Sequence, residues 1–229
     1  MSHSYYTHYS SNLLVRYRGR WTIRRISSKY AYFSESKGTY YIGGELELAQ
    51  HYFIGISTAH PVEEIAQQFR AEYQLIEKYK VIPHAKDLHL TMRYIGELDE
   101  TKLPWLKSCL QKIAQSNKGF TVYVKGMSFF GSASGPRVVF LAVQPLSILS
   151  ELQRQIARRV ENILELEKDI RFVPHITIAK KRKTTDKLQL EKKMIEPVPI
   201  TIEGFSLFKI HPNESPSYET IAYFPFKKS

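Results

Sequence analysis

Two short segments of this chain match, His89-Leu90-Thr91-Met92 and His175-Ile176-Thr177-Ile178, and each falls at the corresponding place in a longer internal repeat. "HLTMRYIG" from His89 parallels "HITIAKKR" from His175, and "GMSFFGSASGPRVVFLAV" from Gly126 parallels "GFSLFKIHPNESPSYETIAYFPF" from Gly204. In each of the latter, a strand carrying Gly-x-Ser-x-Phe meets a cluster of turn formers and returns as a second strand, the signal of an antiparallel hairpin. Residues 61–80 precede the first His segment and residues 146–167 the second, both with apolar positions at three- and four-residue spacing. The clearest stripe is Ile148, Leu149, Leu152, Ile156, Val160, Ile163 and Leu164, which predicts an amphipathic helix. A strand and helix unit used twice constrains the fold strongly. It predicts an α+β architecture of two pseudo-symmetric lobes, each an antiparallel sheet with helices packed outside, around a central cleft.

The repeat begins only after residue 49. "HYFIGIS" at 51–57 reads as the first core strand, and Pro61 followed by Glu63 and Glu64 opens the first helix. The folded domain is therefore expected at 50–229, with 1–49 an N-terminal extension rich in Ser, Tyr and Arg and without clean strand alternation after Ile26. Gly43-Gly44-Glu45 can be encoded by a purine-rich ribosome-binding sequence with Leu48 as a TTG start codon. The preferred reading is a translated leader, the mature chain then starting Met-Ala-Gln-His-Tyr-Phe. The rival is a mobile basic arm with Arg16, Arg18, Arg20, Arg24 and Arg25 on phosphates and tyrosines on bases.

The charge balance, 33 Lys+Arg against 22 Asp+Glu for a net +11, favours a polyanionic partner such as RNA. No apolar run approaches the roughly 20 residues of a membrane span, and the N-terminus lacks a signal-peptide pattern. A cytoplasmic monomer is expected. The single cysteine, Cys109, falls beside the stripe Leu103, Leu106, Leu110, Ile113 and reads as inert packing. Metal-ligand spacings and nucleotide-triphosphate loops are missing from the sequence, so neither a metal nor a cofactor is expected.

In a strand, alternation places His89, Thr91 and Arg93 on one face with Leu90 and Met92 on the other, and likewise His175 and Thr177 against Ile176 and Ile178. An imidazole beside a hydroxyl suits a phosphate. The hydroxyl donates to a phosphoryl oxygen, and the imidazole exchanges a proton near neutral pH. Two imidazoles on opposite walls supply the base and the acid that opening a cyclic phosphodiester with water requires, each contributing about 10²- to 10⁴-fold. One His-x-Thr is ordinary strand packing. Two at equivalent places in a duplication are not. Arg93 and the run Lys180, Lys181, Arg182, Lys183 are candidate phosphate binders, the run reading equally well as a solvated face. The remaining histidines, His3, His8, His51, His60, His84 and His211, have no partner copy.

With both tetrads in hand, residues 50–229 resemble the 2H phosphoesterase superfamily, and within it the LigT-like RNA 2′,3′-cyclic phosphodiesterases. The doubled His-x-Thr-x carries the superfamily resemblance, and "HLTMRYIGEL" and "PHITIAKK" carry the narrower one. The resemblance implies hydrolysis of an RNA 2′,3′-cyclic phosphate to a 2′-phosphomonoester, with His89 the proton donor to the 3′ oxygen, His175 the proton acceptor that activates water, and RNA 2′,5′-ligation as a side activity. Spacing alone leaves the two roles unordered. The alternatives are a phosphodiesterase for small cyclic nucleotides or ADP-ribose cyclic phosphate, and a non-catalytic module that grips an RNA end.

Overall fold

The chain divides into two units, Met1–Ala49 and Gln50–Ser229. The computed structural model describes residues 12–17, 20–25, 31–34, 39–42, 50–58, 60–168 and 171–228. In the first unit β1 (Asn12–Tyr17) pairs antiparallel with β2 (Arg20–Arg25), and β3 (Ala31–Ser34) with β4 (Thr39–Ile42). Strand structure thus continues past Ile26, beyond the last alternation legible in the sequence. The leader reading and the side chains of the arginines proposed for an RNA-binding arm lie outside the described residues.

The second unit runs β5 (His51–Ser57), α1 (Val62–Glu72), α2 (Leu75–Lys78), β6 (Tyr79–Val81), β7 (His89–Glu97), α3 (Leu103–Ser116), β8 (Phe120–Ser132), β9 (Gly135–Val143), α4 (Ser147–Leu164), β10 (His175–Arg182), β11 (Lys193–Ile202), β12 (Gly204–Ile210) and β13 (Tyr218–Pro225). Its nine strands form one sheet in the order β11-β8-β9-β10-β7-β5-β12-β13, with β6 added to β10. The two lobes are the halves of this sheet. β13, β12, β5 and β7 mirror β11, β8, β9 and β10, so β8 of the first repeat completes the second lobe and β12 of the second repeat completes the first. The hairpins that look alike in sequence therefore turn opposite ways: β9 returns beside the His strand of its lobe, whereas β13 returns to the outer edge.

The lobes meet at a single registered pair, Leu90 opposite Ile176. Beyond it β7 and β10 part, and matched β-bulges drive the divergence. Met92 is the extra residue between the pairs Thr91–Gly55 and Arg93–Ile54, and Ile178 the extra residue between Thr177–Phe140 and Ala179–Val139. A bulge bends its strand and increases local twist. Each also exposes a carbonyl that must find a donor in the interior. Gln153 of α4 donates Nε2 to the Met92 carbonyl at 3.3 Å, and Arg70 of α1 donates Nε to the Ile178 carbonyl at 3.1 Å. Both side chains are buried. Each helix thus braces the His strand of the other repeat.

Residues 61–80 do not form the single helix their spacing predicts. Gln74 adopts a left-handed conformation (φ 51°), α1 ends, and Tyr79–Val81 becomes β6, filling the edge of β10 that β7 has left. Burial of Leu75 and Tyr79, with the Tyr79 hydroxyl donating to the Pro136 carbonyl at 2.8 Å, outweighs helix continuation. The α4 helix forms as expected, with Leu149, Leu152, Ile156, Val160 and Ile163 buried, each at about 1.5–3 kcal/mol, but Ile148 of the expected stripe is exposed and Leu164 is half-buried. Cys109 is buried on α3. The glycine of each Gly-x-Ser-x-Phe sits against an outer strand: a Cβ on Gly126 would lie 1.9 Å from the Lys193 carbonyl oxygen, and one on Gly204 2.5 Å from that of Phe224. Among the described residues no helix is long and apolar enough to cross a membrane.

Candidate active site

The Leu90–Ile176 pair sets the chemistry. In antiparallel register about this pair, Thr177 lies alongside His89 and His175 alongside Thr91, all four on the face opposite the buried aliphatics Leu90, Met92, Ile176 and Ile178. The imidazoles are then diagonal neighbours, a relation that separates Cα atoms by about 7–8 Å. The two histidines are neighbours in one sheet, each on its own lobe, where the splaying of β7 from β10 opens the cleft.

Both rings are held by the same device. His89 Nδ1 lies 2.7 Å from the Asp87 carbonyl and His175 Nδ1 2.7 Å from the Val173 carbonyl, in each case two residues upstream. A carbonyl only accepts, so Nδ1 carries the hydrogen in both rings and Nε2 is left to work. The Thr91 hydroxyl donates to His89 Nε2 at 3.0 Å. Aromatic rings wall each imidazole. Phe53 (4.6 Å between centroids), Tyr218 (5.1 Å) and Phe208 (6.3 Å) surround His89, and Phe130 (4.9 Å) and Phe140 (5.2 Å) surround His175. Phe130 and Phe208 are the last residues of the two Gly-x-Ser-x-Phe segments. The duplication flagged those segments as hairpins, and the repeated phenylalanine was the available signal that they also line the site.

Burial among these rings pushes the His89 pKa down from 6.5 to about 4, opposed by the hydrogen bond to the Asp87 carbonyl and assisted by the nearby charges of Lys180 and His175. Burial lowers His175 as well, against its bond to the Val173 carbonyl. At neutral pH the free site is therefore uncharged at both rings. The Lys180 ammonium is itself pushed down, first by burial and then by Lys181.

A cavity of about 180 Å³ opens beside His89, lined among others by Thr91, Tyr94, Thr177, Lys180 and Tyr218. The bulges decide which cations reach it. Because Met92 is an extra residue, Tyr94 takes the place that simple alternation gives to Arg93, and on β10 the equivalent place five residues after the histidine belongs to Lys180. Arg93 is turned aside, its Nη2 donating to the Glu167 carbonyl at 2.6 Å and lying 3.5 Å from the Glu161 carboxylate. Lys181 is exposed at positive φ (62°) and does not line the cavity. Arg182 donates to the Asp186 carbonyl and Lys183 to that of Ile76, so half of the basic run is tied into local structure. Asp87 went unnoticed in the sequence. Its buried carboxylate accepts from the backbone N–H groups of Ser217 (2.8 Å) and Tyr218 (3.2 Å), fastening the end of the β12–β13 loop so that Tyr218 stands edge-on to His89. Among the described residues there is no cluster of three or more His, Cys, Asp or Glu side chains placed to hold a metal ion.

Residues 58–214, a span that contains both tetrads, match the sequence model of the 2′-5′ RNA ligase superfamily. The chain belongs to that superfamily. Within the 2′-5′ RNA ligase superfamily it is 29% identical over 184 residues to an RNA 2′,3′-cyclic phosphodiesterase of Bacillus subtilis, covering 78% of this chain and 97% of the relative. It is 27% identical over 181 residues to an RNA 2′,3′-cyclic phosphodiesterase of Geobacillus stearothermophilus, covering 76% of this chain but only 57% of that longer relative. Its fold is that of TT0787 of Thermus thermophilus (TM-score 0.67, 22% identity, 77% of this chain and 97% of the other). It is likewise that of LigT of E. coli complexed with 3′-AMP (TM-score 0.65, 20% identity, 78% and 99%).

Proposed function

We propose that this protein hydrolyses RNA 2′,3′-cyclic phosphate ends to 2′-phosphomonoesters by metal-independent acid–base catalysis with two histidines. The observation that carries the reading is the pair of imidazoles set diagonally about one strand pair, each with Nδ1–H tied to a backbone carbonyl and Nε2 left to work. The names of the Bacillus and Geobacillus relatives support the substrate class. In this scheme His175 Nε2 takes a proton from the attacking water and His89 Nε2 protonates the departing 3′ oxygen, the order that the family resemblance implies. Thr91, Thr177 and the Lys180 ammonium meet charge on the non-bridging oxygens. Arg93 and Lys181 take no part in it. With both rings neutral in the free site, His89 takes up from solvent the proton it donates as the substrate binds, because the anionic phosphate offsets the desolvation and the Lys180 charge that hold the ring neutral.

The test is product analysis on an RNA oligonucleotide with a 2′,3′-cyclic phosphate end, in the presence of EDTA. A 2′-phosphate product is expected, with turnover falling about 10²- to 10⁴-fold in each of His89→Ala and His175→Ala. Unchanged substrate, a 3′-phosphate product or full activity in either variant refutes the scheme. The pH profile adds a second check. Both imidazoles are shifted down, so the bell in kcat/KM, which reports the free enzyme, is centred on the acid side of 6.5, and the bell in kcat lies at higher pH.

A further inference from the structure

The two lobes match around the histidines but differ on the floor beside them. In the lobe of His175, the residue of β9 opposite Thr177 is Phe140, whose ring packs on Phe130 at 4.3 Å and fills the sheet surface. In the lobe of His89, the corresponding residue of β5, opposite Thr91, is Gly55. A Cβ there would stand 3.0 Å from both the Leu90 carbonyl oxygen and the Phe53 ring and 3.3 Å from His89 Cδ2, so a side chain at this position would crowd its neighbours. Its neighbours on the same face are small too. Ser57 is opposite His89, and Ser206 is opposite Gly55. One strand further out, opposite Ser206, Tyr223 lies down over Gly204, where a Cβ would come within 2.8 Å of the ring, and the tyrosine remains 54% exposed. Ser57, Gly204, Ser206 and Tyr223, with Thr201 and Glu203 from the β11–β12 junction, line a second cavity of about 240 Å³.

We propose that this cavity seats the nucleoside carrying the cyclic phosphate, with its base stacked on the outer face of Tyr223 and the base edge in reach of Ser57, Thr201 and Glu203. The inference rests on the function proposed above. Both ester oxygens of a 2′,3′-cyclic phosphate belong to one ribose, so the nucleoside lies on the leaving-oxygen side of phosphorus, away from the attacking water. In that scheme the leaving oxygen faces His89, and the cavity is in the lobe of His89, reached past Ser57, the residue opposite His89. In the lobe of His175 the place corresponding to Gly55 is taken by the Phe140 side chain. An aromatic wall with hydroxyl and carboxylate groups at its edge suits any nucleobase, since stacking is tolerant of sequence.

The experiment compares kcat/KM for adenosine 2′,3′-cyclic phosphate with that for the abasic ribose 2′,3′-cyclic phosphate, in wild type, in Tyr223→Ala and in Ser57→Trp, which fills the cavity from an exposed position. The preference for the nucleoside substrate is expected to fall about 5- to 150-fold in each variant, the range set by loss of one base–aromatic stack. An unchanged preference in Tyr223→Ala, whose exposed side chain can be removed without opening the core, overturns the assignment even if Ser57→Trp does not fold. If wild type opens neither substrate, the hydrolytic reading fails and the cavity is judged by equilibrium binding of adenosine 2′-monophosphate against ribose 2-phosphate. The same relative weakening in Tyr223→Ala supports the nucleoside seat, and equal affinities overturn it.

Discussion

Replacing His89 by Asn should remove most of the loss of stability that the protein suffers between pH 7 and pH 5. In the folded chain His89 titrates at about 4, against about 6.5 when unfolded. Between these values the unfolded state binds a proton that the folded state refuses, so stability is fully present above the unfolded pKa and drains away as pH falls. The total is 2.5 units at 1.36 kcal/mol each, about 3 kcal/mol, complete below pH 4. By pH 5 about 2 kcal/mol is gone, which with a urea m-value near 2 kcal/mol/M lowers the midpoint by about 1 M. His175 adds a loss of the same sign. The assay is urea unfolding followed by circular dichroism at pH 5, 6 and 7. Asn cannot take up the proton, so the variant's midpoint should change with pH by the remainder only. Equal pH dependence in wild type and His89→Asn would refute the claim that burial holds this ring neutral. Inorganic phosphate supplies a further arm: an anion in the site offsets the charge on a protonated ring, so stabilisation by phosphate should be larger at pH 5 than at pH 7.

Two other substitutions probe the supports of the site. Gln153→Leu keeps the volume near the Met92 bulge but leaves its carbonyl without the Nε2 donor, which should cost about 1–3 kcal/mol of stability and lower kcat more than it raises KM, as read from urea midpoints and steady-state kinetics. Lys180→Met removes a positive charge that depresses His89, so the acid limb of kcat/KM should move to higher pH while KM for the cyclic phosphate rises; an unmoved limb would place the ammonium too far from the ring to matter.

The duplication made most of this legible. His89, Thr91, His175 and Thr177 stand out as candidates because the repeat puts each on the same strand position twice, and the pseudo-symmetric lobes follow from the same match. Two kinds of feature escaped. The bulges at Met92 and Ile178 depend on long-range pairing with β5 and β9, so strict alternation assigned Arg93 a place that the backbone gives to Tyr94. β11 went unread for a local reason. Pro197 and Pro199 remove backbone donors, which argues against a strand in the middle of a sheet, and they are tolerated here because β11 is the outer strand and its register slips between Met194 and Val198. Asp87 was invisible because its partners, Ser217 and Tyr218, lie more than a hundred residues away.

The exchange of β8 and β12 between the repeats has a consequence for biosynthesis. Translation of the first repeat alone yields β5 and β7 without the β12 and β13 that cover their outer edge, and yields β8 before the β10 and β11 that complete its half of the sheet. Neither half of the gene encodes a lobe that can close. Most of the sheet therefore joins residues distant in sequence, an arrangement that folds slowly. A chain released before Arg182 leaves a His89 strand with no His175 strand beside it, so the protein acquires its paired imidazoles only after the second repeat is well under way.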